Sequence, residues 1–548
     1  MAPTLATSPD RSGGLGPLAW WETRWFAAAA ILLSAVPLLY PPLPPLVDLL
    51  GHIGRYRVQL DLGNSPSLQR FYDYHWATVG NLGVDLLIWP LGKLLGLEPA
   101  VKLIVLLIPP TTIAGMLWVA REVHGRLPPT VLFALPFAYG HHFLFGFVNY
   151  ALSMALAFLA FGLWLRLARL GKVRLRAALF VPIGIFVWLC HAFGWGMLGL
   201  LAFSAEAVRQ HDKGRGWIMS AARAAFHCLS LAVPLLLMLL WRGEGGGQTA
   251  DWFNWTIKGR WIEMALRDRW YDFDRASVAA VGLVFLLAIV HPRLTLSRML
   301  FFTLLVLCAA FALLPRIIFG SAYADMRLVP FLLAVAMLAI RFRREPSWLL
   351  ARAARSFRLP LRFKPEPPAW FAWSLALAAL TYFLVRTASV TASLAIAAND
   401  HRQQLVALQH VPMGARVVSM VGLSCRNKSW PMWRNAHLGG LVVARRHGFS
   451  NDHWETPGAQ LLTVTYEPAG YWRYDPSNLV RHPTCRLGSA HPVGPMLANF
   501  PRQAFDYLWL IDPPPFDRKL LGDARPVWQG PNGSALYRLN ERSATQRQ

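Results

Sequence analysis

The chain has 548 residues, of which 55% are hydrophobic, 13% aromatic and only 15% charged, against roughly 25% charged in a soluble globular protein. This composition excludes the soluble globular class and indicates a polytopic α-helical membrane protein. The net charge of +25 would suggest nucleic acid in a soluble chain. Here a positive-inside loop bias accounts for it, so the expected partner is the lipid bilayer and no nucleic acid.

Residues 1–24 read as a cytoplasmic segment, and the apolar run Phe26 to Tyr40 follows without a small-residue cleavage site, as in a signal anchor. Further apolar windows lie at 103–120, 131–147, 149–168, 177–190, 193–208, 217–241, 277–290, 298–314, 328–340 and 370–396. With the first run they predict about 11 spans in a membrane domain covering 25–398. The run 81–97 is interrupted by Asp85, Pro90 and Lys93 and reads as a juxtamembrane or re-entrant piece of a first outer loop, 41–102.

With the N-terminus inside, the connections 121–130, 169–176, 209–216, 291–297 and 341–369 are cytoplasmic, and residues 341–364 carry eight Lys or Arg against the single acid Glu345. The opposite loops, 41–102, 242–276 and 315–327, hold twelve of the nineteen carboxylates before residue 399. Acids influence topology little, so their segregation points to a functional outer face. Gly243 to Gly247 suits a flexible loop but lacks the Lys-Ser/Thr ending of a phosphate-binding P-loop.

Beyond the last span the composition changes. Residues 399–548 gain turn residues and strand-like pieces such as Ala415 to Met420, Leu441 to Val443 and Tyr507 to Ile511. They predict a small C-terminal α/β domain, which an odd span count places outside the membrane, in the periplasm. Cys425 and Cys485 both fall in it and are disulfide candidates in an oxidising compartment, the alternative being two free thiols.

Four clusters carry candidate chemistry. In the first loop, Asp48, His52, Arg55 and Gln59 share a narrow arc of a helix beside an apolar stripe of Leu49, Ile53, Tyr56 and Leu60. A carboxylate there suits a general base or a metal ligand, and an ordinary amphipathic interfacial helix has the same pattern. At the outer ends of later spans lie His141, His142, Asn149 and His191. Adjacent helical histidines point about 100° apart, which favours packing over joint metal ligation. Arg316 and Arg327 flank a short loop, as a phosphate clamp would, although snorkelling or an Arg327–Asp325 ion pair would also place them there. Trp252, Trp255, Trp261 and Trp270 interleave with Asp251, Lys258 and Arg260, a pattern shared by sugar-stacking loops and interfacial belts.

The first span followed by Pro44-Pro45-x-x-Asp48-x-x-x-His52, the basic exit Ala120 to Arg126, and Ala324-Asp325-Met326-Arg327 opening a late span resemble the bacterial GT-C superfamily of integral-membrane glycosyltransferases. The resemblance covers about residues 20–396, followed by an outer C-terminal domain. It implies transfer of a sugar from a polyprenyl-phosphate donor to a lipid, glycan or protein acceptor at the outer face of the bacterial cytoplasmic membrane. Asp48 would be the catalytic base with His52 beside it, while Arg327 and Arg316 would take the donor phosphate. Arg55, His141, His142, Asn149, His191, Asp251 and Asp325 would complete the substrate site. No cofactor is required and a divalent metal is left open, because Leu49 stands where the family more often has a second acid. The rival readings are a transporter or flippase of lipid-linked or small anionic substrates, which predicts charges near the bilayer midplane, and a non-catalytic envelope assembly protein.

Overall fold

The computed structural model describes residues 18–240, 248–318, 320–343, 367–424, 430–455, 461–486, 488 and 490–539. The first seventeen residues, the Gly243–Gly247 stretch, most of the basic 341–364 segment and Cys425 fall outside this range.

The chain opens with α1 (Arg24–Leu33), passes through a proline-rich turn, and forms α2 (Leu49–Asp61), β1 (Tyr72–Tyr74) and α3 (Gly83–Leu95). There follow α4 (Leu97–His124), α5 (His141–Phe145), α6 (Val148–Arg169), α7 (Val173–Cys190), α8 (Ala192–His211), α9 (Trp217–Cys228) and α10 (Val233–Leu240). The membrane part ends with α11 (Trp255–Glu263), α12 (Tyr271–Val290), β2 (Leu294–Leu296), α13 (Arg298–Leu313), α14 (Ala324–Ala339), β3 (Ile340–Phe342) and α15 (Ala369–Gln404).

Among the described residues five helices, α4, α6, α7, α12 and α15, are long and apolar enough to cross a membrane. A sixth span exists if the pair 217–231 and 233–239, bent by 66°, counts as one. By length and composition the described residues thus supply five or six such helices, and the eleven expected from hydropathy are not confirmed. The window 131–147 shows one reason. Its prolines and glycines break it into the 3-10 turns Pro129–Phe133 and Leu135–Tyr139 and the short α5, nearly all of them buried inside the protein. Likewise α13 has 16 residues, a rise of about 24 Å against about 30 Å of hydrocarbon.

At one end of the bundle the connections predicted to be cytoplasmic meet each other. β2 pairs antiparallel with β3, His124 Nε2 donates to Leu338 O at 2.8 Å, and the Thr130 hydroxyl donates to Ile340 O at 3.2 Å.

The other end carries the sheet domain: β4 (Arg416–Leu423), α16 (Gly440–Arg446), β5 (Phe449–Ser450), β6 (Leu462–Val464), β7 (Leu479–Arg481), β8 (His491–Pro492), α17 (Val493–Asn499), β9 (Tyr507–Ile511), β10 (Arg525–Gln529) and β11 (Ala535–Arg538). Seven strands form one mixed sheet in the order β10-β11-β9-β4-β7-β8, with β5 also on β4. The central strands β4 and β9 are nearly continuous apolar runs, because a parallel strand is covered on both faces. One edge of β4 is shared between β5, at Arg416 and Val417, and β7, at Val421 to Leu423. In the gap the buried Asn451 amide stands in for a strand peptide: it accepts from Ser419 N–H at 2.8 Å and donates to Ser419 O at 3.1 Å. The chain leaves the sheet at this point and returns at Asn478, whose carbonyl accepts from Val421 N–H at 2.6 Å.

The excursion between them clasps the first loop. β6 pairs antiparallel with β1, Tyr72 facing Val464, and Val58, Leu68, Phe71 and Tyr72 share one core with Val418, Met420, Phe449 and Leu508. The boundary drawn from composition at 398/399 lies inside α15, which runs unbroken from the membrane part to the sheet domain. A second tie is ionic. Asp274 pairs with Arg386 of α15 at 2.7 Å and accepts from Trp430 Nε1 at 2.8 Å, while Asp268 pairs with Arg434. The first loop, residues 264–274 and the sheet domain therefore stand at the same end of the molecule.

Candidate active site

Asp48 precedes the first turn of α2, yet its carboxylate does not cap that helix. Its backbone is held instead by the turn before α6, with the N–H of Asp48 donating to Phe145 O at 2.9 Å and that of Val47 to Leu144 O at 3.3 Å. Gly146, with φ 103°, makes the approach feasible. A Cβ there would lie 2.7 Å from Asp48 N, and a positive φ is costly for any other residue. The carboxylate, with no capping hydrogen bond to its own helix, is 15% exposed.

α16 of the sheet domain crosses α2 at glycines. A Cβ on Gly440 would stand 2.5 Å from Leu50 O, and one on Gly54 would stand 2.7 Å from Gly440 O. This contact brings His437, just before α16, to Asp48, with Nε2 3.7 Å from Oδ1. The other ring nitrogen, Nδ1, donates to the Asp452 carbonyl at 3.2 Å and lies 3.5 Å from its carboxylate. Asp452 is fully buried and anchored by Gly440 N–H at 2.7 Å and by the Asn478 amide. Trp454 closes the cluster, its ring centroid 5.1 Å from that of His52 and 5.0 Å from that of His437.

Burial pushes the Asp48 carboxyl up to about 7; His437 opposes the rise, Asp475 adds to it and Arg327 opposes it. For His437 burial acts downward, but contact with Asp452 and the charges of Asp48 and Asp475 outweigh it and raise the ring to about 9. Burial holds His453 down at about 4 and His52 well below the ordinary imidazole range. At neutral pH the site therefore holds a cationic His437 between carboxylates, flanked by two neutral imidazoles, with Asp48 poised between its two forms.

Arg327 lies in an aromatic basket, its guanidinium carbon 4.4 Å from the Phe147 ring, 5.7 Å from Phe193 and 5.8 Å from Tyr150. It is 9% exposed and donates to Ser321 Oγ at 3.4 Å and Ala322 O at 3.3 Å. No carboxylate among the described residues stands within ion-pair distance of it, and Asp325 pairs with Lys258 at 3.3 Å instead. His142 and His191 pack edge-on against Tyr150, at 5.2 and 5.5 Å, so both border the basket.

The remaining sequence candidates are held elsewhere. Arg55 pairs with buried Asp85 at 2.7 Å, and Asn149 donates to the same carboxylate at 3.0 Å, which makes both part of one internal network. His141 is buried edge-on to Phe145, and Asp251 pairs with Arg316 at 3.2 Å beside the Ala250–Ile317 bridge. Trp252 and Trp255 are exposed, whereas Trp261 is buried with its N–H on Asp325. Cys485 is disulfide-bonded.

The site also contains residues that sequence reasoning passed over: His437, Asp452, Asp475, His453 and Trp454. Asn451-Asp452-His453-Trp454-Glu455, packed with polar groups directly after a short strand, was the available signal. Among the described residues no three His, Cys, Asp or Glu side chains are grouped to hold a metal ion.

No family model and no curated protein matches the chain. Among solved structures the chain is similar to ArnT from Cupriavidus metallidurans in the apo state, with 11% identity and a TM-score of 0.48 over 94% of this chain and 97% of that one.

Proposed function

We propose that the chain is a membrane glycosyltransferase of GT-C type that moves a sugar from a polyprenyl-phosphate donor to a lipid, glycan or protein acceptor at the outer face of the cytoplasmic membrane. The observation that carries this reading is the placement, within electrostatic reach of each other, of an uncapped carboxylate poised near neutrality and a buried arginine that has no carboxylate partner among the described residues. Asp48 also occupies the first-loop position at which the family resemblance places its acid.

In the proposed reaction Asp48 takes the proton from the acceptor hydroxyl or amine as that atom bonds to the anomeric carbon. The bond from the anomeric carbon to the phosphate oxygen breaks, and its electrons leave with the phosphate. Arg327, fixed by its aromatic basket and two hydrogen bonds, neutralises the departing charge by forked donation, which phosphate suits. His142, His191 and Tyr150 wall the basket and keep water from it.

The test is the full chain carrying Asp48→Asn or Arg327→Ala, expressed in cells lacking the wild-type copy, with lipids and envelope glycans read by mass spectrometry. Loss of one sugar-modified product with accumulation of a lipid-linked sugar is expected for both. An unaltered profile with folded protein in the membrane would remove Asp48 as the base.

A further inference from the structure

The sheet domain brings His437 to within 3.7 Å of Asp48, and we propose that His437 is a positioning residue that sets the ionisation of Asp48, so the carboxylate is ready to act only while α16 is seated on α2. This inference rests on the reading of Asp48 as the base and adds the control of that same site.

The argument begins with geometry. His437 bridges two acids from different parts of the chain, Asp452 on its Nδ1 side and Asp48 on its Nε2 side at 3.7 Å. The bond from Nδ1 to the Asp452 carbonyl fixes the ring's orientation and aims Nε2 at Asp48. Asp452 is held in turn by Gly440 N–H, the backbone group whose neighbours form the α2 crossing. Position and charge at Asp48 are therefore set through one chain of contacts: α2 on Gly440, Gly440 on Asp452, Asp452 on His437.

The charges facing each member can be named. Asp48 meets His437, Asp475 and Arg327, while His437 meets Asp452, Asp48 and Asp475. His52 faces Arg55, His437 and His453, and His453 faces Asp452, His437 and Arg55; burial keeps both rings neutral. His437 is thus the cationic imidazole of the cluster. Without it Asp48 would keep only Arg327 as a counter-charge, with Asp475 still adding repulsion, and would stay protonated through neutral pH. A separation of α16 from α2 would remove His437 in the same way and leave the base out of service.

The experiment uses the full-length protein in detergent and N,N′-dicyclohexylcarbodiimide, which adds to protonated carboxyls. Modification of the peptide containing Asp48 is followed by mass spectrometry from about pH 5 to about pH 9. Labelling in the parent should fall to half near pH 7, where Asp48 titrates. His437→Gln should move that midpoint up by about one pH unit or more, a tenfold change in the protonated-to-ionised ratio. His437→Lys, which restores a cation, should return it toward the parent, and Asp452→Asn should move it in the same direction as His437→Gln. An unchanged midpoint in His437→Gln, or an equal shift in His437→Lys, overturns the proposal. Should His437→Gln not fold, an unchanged midpoint in Asp452→Asn overturns it equally. Because labelling needs no substrate, it separates the two ideas: a shifted midpoint together with an unaltered glycan profile in Asp48→Asn upholds the coupling and removes the transferase reading.

Discussion

Replacing Gly440 by alanine drives a methyl group into the backbone of α2. The new Cβ would sit 2.5 Å from Leu50 O and 2.9 Å from Gly51 Cα, whereas ordinary contact begins near 3.4 Å. Neither obstacle is a flexible side chain, so the two helices must part by about 0.9 Å, the gap between 2.5 and 3.4 Å. Overpacking of this kind costs about 1–3 kcal/mol. The functional loss should be larger than the loss of stability suggests. The parting acts directly on the 3.7 Å contact between His437 and Asp48, and a misplacement near 1 Å in an active site can cost on the order of 100-fold in rate. Denaturant unfolding of the purified protein in detergent gives the first quantity, and carbodiimide labelling of Asp48 reads the second as an upward shift of its midpoint. Gly196→Ala in α8 is the matched control, since nothing lies within 4 Å of a Cβ there; it should be neutral or stabilising by up to about 1 kcal/mol. If Gly440→Ala unfolds with the parent and labels with the parent, the close crossing does not position the site.

Other consequences follow from the same contacts. Arg386→Met leaves Asp274 buried without its cation and should destabilise by about 3–5 kcal/mol, with much of that recovered when Asp274→Asn is added; equal instability of single and double variants in denaturant unfolding would refute the pairing as the cause. On folding, Asp48 rises from 3.8 to about 7 and His437 from 6.5 to about 9. Both folded values exceed the unfolded ones, so each group's stabilisation is complete below its unfolded value and is lost as pH climbs through its folded one. The imidazoles that burial holds low, His52 and His453 among them, make stability rise with pH up to about 7, so the fall belongs above that: thermal unfolding in detergent should fall in midpoint from about pH 8 to about pH 10, and a midpoint that rises across that window would contradict the charge state assigned to His437. In denaturant without reductant, Cys190, Cys228 and Cys308 should alkylate and Cys485 should not; reaction of Cys485 before reduction would contradict its disulfide.

Local features of this protein were legible in the sequence because their causes are local. α2 forms where Asp48, His52, Arg55 and Gln59 recur beside an apolar stripe, and α4, α6 and α7 coincide with uninterrupted apolar windows. The window 131–147 misled because hydropathy does not distinguish lipid from protein as the apolar surroundings; Pro129, Pro136, Gly140 and Gly146 were the better guide. The site was half visible. Asp48 at the start of α2 and Arg327 in the first turn of α14 each follow a recognisable loop, but His437 reaches Asp48 only through a crossing of Gly51, Gly54 and Gly440, residues whose role is the absence of a side chain. Nothing along the chain announces that two segments nearly four hundred residues apart will touch. Arg55 and Asn149 looked like ligand-binding groups for a related reason: their partner, Asp85, lies in a run that reads as mainly apolar.

The most direct test of the central claim is the envelope of cells whose only copy carries Asp48→Asn, compared with wild type and with cells lacking the protein. The account predicts that the variant is present and folded in the membrane, yet gives the lipid and glycan mass profile of cells without the protein, with a polyprenyl-phosphate sugar accumulating. A variant that restores the wild-type profile would show that Asp48 does not carry the chemistry.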